Sequence, residues 1–123
     1  FLPSIIRDSI IKNKIKVFTS LTSKKDYLYI DDVLEIIPKI ATNGKNKIYN
    51  IASGQNIESG EIIKKIVDIT GCEVEVAPNS KEYSFPETSI NKITEEFNFK
   101  PTNILNKMEC MIDEFKKFLE NNN

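Results

Sequence analysis

The side chains able to do chemistry gather in one stretch: Lys25, Asp26, Tyr27, Tyr29, the adjacent pair Asp31 and Asp32, and Glu35. Two neighbouring carboxylates suggest a site for a hard cation. Consecutive side chains point in different directions, however, and no further ligands complete an oxygen shell. Asp32 and Glu35, three residues apart, have instead the spacing of a helix capping box. The chain contains no histidine, so neither a Ser-His-Asp nor a Cys-His arrangement can be assembled from it. It has no Gly-x-Gly-x-x-Gly to cradle a dinucleotide phosphate, and Ser53-Gly54 reads as a simple turn. Cys72 and Cys110 lack both metal-ligand spacing and the density of a disulfide scaffold, and Cys110 reads as packing beside an apolar helix face. Asn79-Ser-Lys-Glu-Tyr83 reads as a solvated connector. Residue types alone predict no catalytic or metal centre.

The elements that must position these residues alternate. Tyr27 to Ile30 suits an extended strand. Asp32 then opens a helix with Val33, Ile36, Ile37 and Ile40 on one stripe. Pro38 predicts a kink or an early, irregular end, and Asn43 or Gly44 a left-handed cap. Upstream lie a helix with Pro3 in its first turn, a strand from Ile15 to Phe18 and a polar loop over 19–25. Downstream come a strand from Lys47 to Ile51, a Ser59-capped helix stopped by Gly71, and a brief strand from Glu73 to Ala77. A loop over 78–88 leads to a helix from Ser89 to Phe97, with Asn98 supplying a left-handed turn. Thr102 caps the last helix, which carries Ile104, Met108, Met111, Ile112, Phe115 and Leu119 on one side. The fold class predicted is α/β (mixed α+β), with short strands and about five helices, as a single domain over residues 1–123.

Such a chain of 123 residues buries roughly 65% of its unfolded surface, enough for one modest core. The formal net charge of -1, from 17 basic and 18 acidic residues, gives no electrostatic reason to expect nucleic acid or a membrane surface as partner. No apolar run reaches the ~18 residues of a membrane helix, and no signal peptide opens the chain. Two sparse thiols fit a reducing, cytoplasmic setting. Phe1-Leu-Pro-Ser begins without an initiating methionine, so a piece of a longer protein is expected.

Several short motifs carry a family resemblance. Lys25-Asp-Tyr-Leu-Tyr-Ile-Asp-Asp-Val33 resembles the Arg-Asp-aromatic-x-aromatic-Val-x-Asp-Val segment of the extended short-chain dehydrogenases, the NAD-dependent nucleotide-sugar epimerases and dehydratases. Lys47-Ile-Tyr-Asn-Ile-Ala-Ser-Gly54 is similar to that family's Tyr-Asn-Ile-Gly-Ser-Gly, and Ile57-Glu-Ser-Gly-Glu-Ile62 to its serine-capped helix. Ser89-Ile-Asn-Lys92 resembles its Asp-x-Ser-Lys helix start, and Phe97-Asn-Phe-Lys-Pro-Thr102 its Leu-Gly-Trp-x-Pro-Thr. Leu2-Pro3 matches the proline that opens a helix after the substrate loop.

The resemblance implies that the chain is the small C-terminal, substrate-binding portion of such an enzyme. NAD or NADP and the catalytic Tyr-x-x-x-Lys pair would lie in an N-terminal Rossmann domain outside these residues. No catalytic, cofactor-binding or metal residue is then carried here, and the 123 residues alone should show no turnover. The implied ligand is a nucleoside-diphosphate sugar. Phe18 matches an aromatic position against the nucleotide base, and Lys25 replaces the arginine that binds the diphosphate, keeping the charge but losing the bidentate fork. Tyr27 falls near the same pocket and Phe1 beside the substrate loop. Asn79-Ser-Lys-Glu82 stands where the family has Arg-x-Gly-Asp; Glu82 is placed to accept a ribose hydroxyl and Lys81 to supply the lost charge. Thr19-Ser-Leu21 replaces the family's Gly-Asp-Gly. The lost arginine and glycines leave a second reading open, a stand-alone ligand-binding or interaction domain without catalysis. Without its Rossmann partner the stripe with Ile36, Ile37 and Ile40 is left open, so self-association is expected.

Overall fold

Amphipathic periodicity turns the first residues into helix α1 (Leu2–Ile11), which has proline in its first turn and buries Leu2, Ile5, Ile6 and Ser9. The structure, a computed structural model, describes residues 1–122. There follow strands β1 (Lys14–Thr19) and β2 (Lys24–Asp26), helix α2 (Ile30–Asn43), strand β3 (Asn56–Glu58), helix α3 (Ser59–Thr70), strand β4 (Glu73–Lys81), and helices α4 (Asn91–Phe97) and α5 (Ile104–Asn121). Among the described residues, five helices and two two-stranded sheets make a mixed α/β fold. β1 pairs with β4 in parallel, Ile15 beside Val74 and Val17 beside Val76. β2 pairs with β3 antiparallel, Lys25 beside Ile57. None of the helices is long and apolar enough to cross a membrane.

The core lies between β1 and helices α1, α3 and α5: Ile15 and Val17 meet Ile5, Ile6, Ile62, Ile63, Ile66, Ile104, Met108 and Ile112. Strand alternation puts Ile15 and Val17 inward and leaves Lys16 and Phe18 outward, so Phe18 is 68% exposed. α3 begins where the sequence predicts, with Glu61 accepting from the Glu58 N–H at 3.3 Å, and stops at Gly71, whose φ of 70° is left-handed. Asn98, at φ 51°, makes the turn after α4.

Several expectations are corrected. The strand before α2 is Lys24–Asp26 rather than Tyr27 to Ile30, because a strand forms only where a neighbour offers hydrogen bonds and β3 is just three residues long. Residues 47–51 form no strand: Ile48 is 71% exposed, and the segment is held by Tyr49, whose hydroxyl donates to Glu96 at 2.7 Å. Pro38 does not end α2, which continues to Asn43. The carbonyl that loses its donor belongs to Leu34, a residue 63% exposed, where water can substitute. Gly44 caps that helix in extended rather than left-handed backbone. β4 runs on to Lys81 past a register shift that accommodates Asn79 at φ 58°.

Asp32 and Thr102 do not cap their helices. Tyr29 holds the N-cap position of α2 and Asn103 that of α5, its side chain accepting from Leu105 N–H at 2.9 Å. Asp32 is buried and accepts from the Thr102 N–H at 2.6 Å and the Thr102 hydroxyl at 2.9 Å, tying two helix starts together. Of the stripe on α2, Ile36 is buried and Ile40 half-buried; the open face is Ile30, Leu34 and Ile37, one turn apart from each other.

Candidate functional site

β2 places the cationic residue. Antiparallel pairing with β3 fixes Lys25, and the next residue, Asp26, locks the frame: its carboxylate accepts from the backbone N–H of Ser53 at 2.9 Å and of Gly54 at 2.8 Å. Gly54 has φ 76°, and a Cβ there would come within 3.0 Å of Ile90, so this close turn needs glycine. Lys25 and Tyr27, two residues apart in extended chain, project on one side. The Lys25 ammonium stands 5.0 Å from the ring centroid of Phe1 and 5.0 Å from that of Tyr27; the two rings are 6.5 Å apart and tilted by 45°. A cation held over two ring faces gains about 0.5–1 kcal/mol per face at a partly exposed site. Lys24 is paired with Glu58 at 3.1 Å, whereas Lys25 makes no ion pair among the described residues. Lys25 therefore keeps its charge available to an anion.

The Tyr27 hydroxyl is buried without a hydrogen-bond partner. Burial pushes its pKa up to about 12; Ser59 lies near enough to offset this in part but outside bonding geometry.

Residues 81–85 run beside residues 20–25 and close the other wall. Ser20 N–H donates to the Lys81 carbonyl at 2.9 Å, Lys24 N–H to the Tyr83 carbonyl at 2.8 Å, and Tyr83 N–H to the buried Ser23 hydroxyl at 3.0 Å. The segment read from sequence as a solvated connector is thus anchored through its backbone. Between the two strips lies a cavity of about 230 Å³ lined by Phe1, Thr19, Ser23, Lys24, Lys25, Ser59, Tyr83 and Phe85.

Among the residues the sequence singled out, the fold brings together Phe1, Lys25 and Tyr27, with Phe1 and Lys25 facing this cavity. Glu82 stands beside it with one carboxylate oxygen accepting from the Thr22 hydroxyl, which in turn bonds Ser20 at 2.7 Å. Lys81 is exposed at the end of β4, paired through its backbone with Thr19. Phe18 sits on the outward face of β1 with the Lys16 ammonium 5.7 Å from its ring, and neither it nor Lys81 lines the cavity. Thr22, Ser23, Tyr83 and Phe85 were not singled out. The available signal was Tyr83-Ser-Phe85, two large aromatics in an otherwise polar loop. Taken together these side chains form a cation flanked by aromatic faces over a small hollow, which suits binding of an anionic group attached to a ring.

Residues 1–52 match the family model described as the NAD dependent epimerase/dehydratase family. No curated protein matches the chain by sequence. Among solved structures, the dTDP-glucose 4,6-dehydratase of Bacillus anthracis in complex with NAD superposes with a TM-score of 0.77 at 16% identity, over 94% of this chain and 38% of its own. The Bordetella bronchiseptica enzyme WbmF in complex with NAD+ gives 0.76 at 23% identity, over 97% and 37%. MoeE5 in complex with UDP-glucose and NAD gives 0.79 at 14% identity, over 97% and 42%. The chain thus spans about two fifths of the length of these proteins. In sequence over residues 1–52, and in fold over nearly all its length, this chain resembles the NAD-dependent epimerase/dehydratase family.

Proposed function

We propose that this chain is the C-terminal, nucleotide-sugar-binding part of an NAD(P)-dependent epimerase or dehydratase. It fixes the nucleoside diphosphate while a Rossmann domain beyond these residues holds NAD or NADP and performs the redox chemistry on the sugar. The observation that carries the reading is Lys25, free of any ion pair among the described residues and held over the rings of Phe1 and Tyr27. Its ammonium neutralises a diphosphate as a point charge. Glu82, with an oxygen left over from its bond to Thr22, accepts a ribose hydroxyl, and Lys81 adds positive charge near the same end. Phe18 offers an exposed ring at the margin. The test is calorimetric titration of the chain with UDP and with inorganic pyrophosphate. A charge-assisted contact contributes at least about 1.5 kcal/mol, so Lys25→Ala should weaken both ligands roughly tenfold. Lys25→Arg, which restores the fork, should tighten both. Equal affinities for all three proteins would sink the assignment.

The open stripe of Ile30, Leu34 and Ile37 supports a second element of the proposal. In the longer protein it packs against the Rossmann domain, and in the isolated chain it drives self-association in a cytoplasmic setting. Sedimentation velocity over a concentration series should show oligomers that Leu34→Lys abolishes. A monomer at every concentration would count against this element, leaving the ligand assignment untouched.

A further inference from the structure

We infer that the cavity between Lys25 and residues 83–85 is the seat of the nucleobase, with Tyr83 and Phe85 as its aromatic walls; this rests on the nucleotide-binding reading above. Tyr83 is 49% exposed and Phe85 55% exposed, yet their backbone is pinned: the Lys24 N–H donates to the Tyr83 carbonyl at 2.8 Å and the Phe85 N–H to the Lys24 carbonyl at 3.3 Å. The Asn56 amide also donates to the Phe85 carbonyl. Large aromatic rings left open to water on an anchored segment are stacking surfaces held ready for a flat partner. Phe1 closes the opposite side of the same hollow, and Lys25 stands at its edge over the Phe1 ring.

Size decides what can enter. At about 230 Å³ the cavity falls below the roughly 300 Å³ at which ligand pockets begin to take whole drug-sized molecules. It therefore accepts one ring system and leaves the phosphates outside, on the side where Lys25 presents its charge. The hydroxyl of Ser59 and the Thr19 side chain supply polar contacts for a ring edge. Phe18 does not line this hollow, so its exposed ring is not the base platform.

Stacking of a base on an aromatic side chain corresponds to roughly a five- to hundred-fold change in affinity when the ring is removed. The experiment titrates the 123-residue chain, followed by NMR, with UDP, with uridine and with pyrophosphate. Tyr83→Leu and Phe85→Leu, which keep an apolar side chain of similar reach, are compared with Phe18→Leu, and circular dichroism verifies the fold of each. The proposal expects Tyr83→Leu and Phe85→Leu to weaken UDP and uridine at least five-fold while pyrophosphate binding stays put. Phe18→Leu should change none of the three. If Phe18→Leu weakens UDP and the other two do not, the base lies on the outer face of β1, and the proposal fails while nucleotide binding stands. If wild-type chain binds neither UDP nor pyrophosphate, both readings fail together.

Discussion

Replacing Asp32 with alanine should unlatch α2 from α5. The buried carboxylate accepts from the Thr102 N–H at 2.6 Å and from the Thr102 hydroxyl at 2.9 Å, joining residues seventy positions apart. Hydrogen bonds to a charged group contribute about 1.5–3 kcal/mol each. Thr102 is only half-buried, so water recovers part of both, and a net loss of about 3 kcal/mol is expected for Asp32→Ala. A domain of this length has a total stability on the order of 6–18 kcal/mol, so the loss is a large fraction. A helix cap, the role the sequence suggests for Asp32, would cost only about 1 kcal/mol. Urea unfolding of wild type, Asp32→Ala, Thr102→Val and the double variant separates the two roles. Thr102→Val removes the hydroxyl and keeps the backbone N–H, so it should cost about 1 kcal/mol and couple to Asp32 by a similar amount. Additive losses, with Asp32→Ala near the cost of a cap, would refute the latch.

Two further outcomes follow from other residues. Tyr27 ionises at about 12 in the folded chain, against an ordinary value near 10, because burial disfavours the phenolate. A raised acid is one the unfolded chain deprotonates first, so stability should hold below pH 10 and fall between pH 10 and 12. The loss is on the order of 1–2 kcal/mol after allowing for the partly exposed ring; Tyr27→Phe should flatten that part of the profile in thermal melts, and an unchanged slope would disprove the origin. Gly71→Ala places a side chain at φ 70° where nothing lies within 4 Å of the new Cβ. Only backbone strain is then felt, and chemical denaturation should register a loss of about 1–2 kcal/mol.

The sequence by itself determined the local elements whose causes are local. Proline near the start of α1, Gly71 and Asn98 at left-handed turns, and the isoleucine spacing of α3 each act within a turn or two of chain, so their outcome is legible from neighbours. The motif around Lys25 likewise carried the family resemblance, and the fold does set Phe1, Lys25 and Tyr27 together. What only the tertiary structure decided are the pairings across long stretches of chain. A strand requires a partner, so residues 47–51 stay irregular despite their composition, whereas residues 24–26 become a strand because β3 arrives beside them. An aspartate ahead of a helix has the composition of a cap, yet Asp32 finds a stronger pair of donors on Thr102. In the same way Tyr83 and Phe85, which look like part of a solvated loop, become the wall of a cavity once Ser23 and Lys24 hold their backbone. Periodicity encodes which face of an element is apolar; which partner that face meets is fixed only when the chain closes on itself.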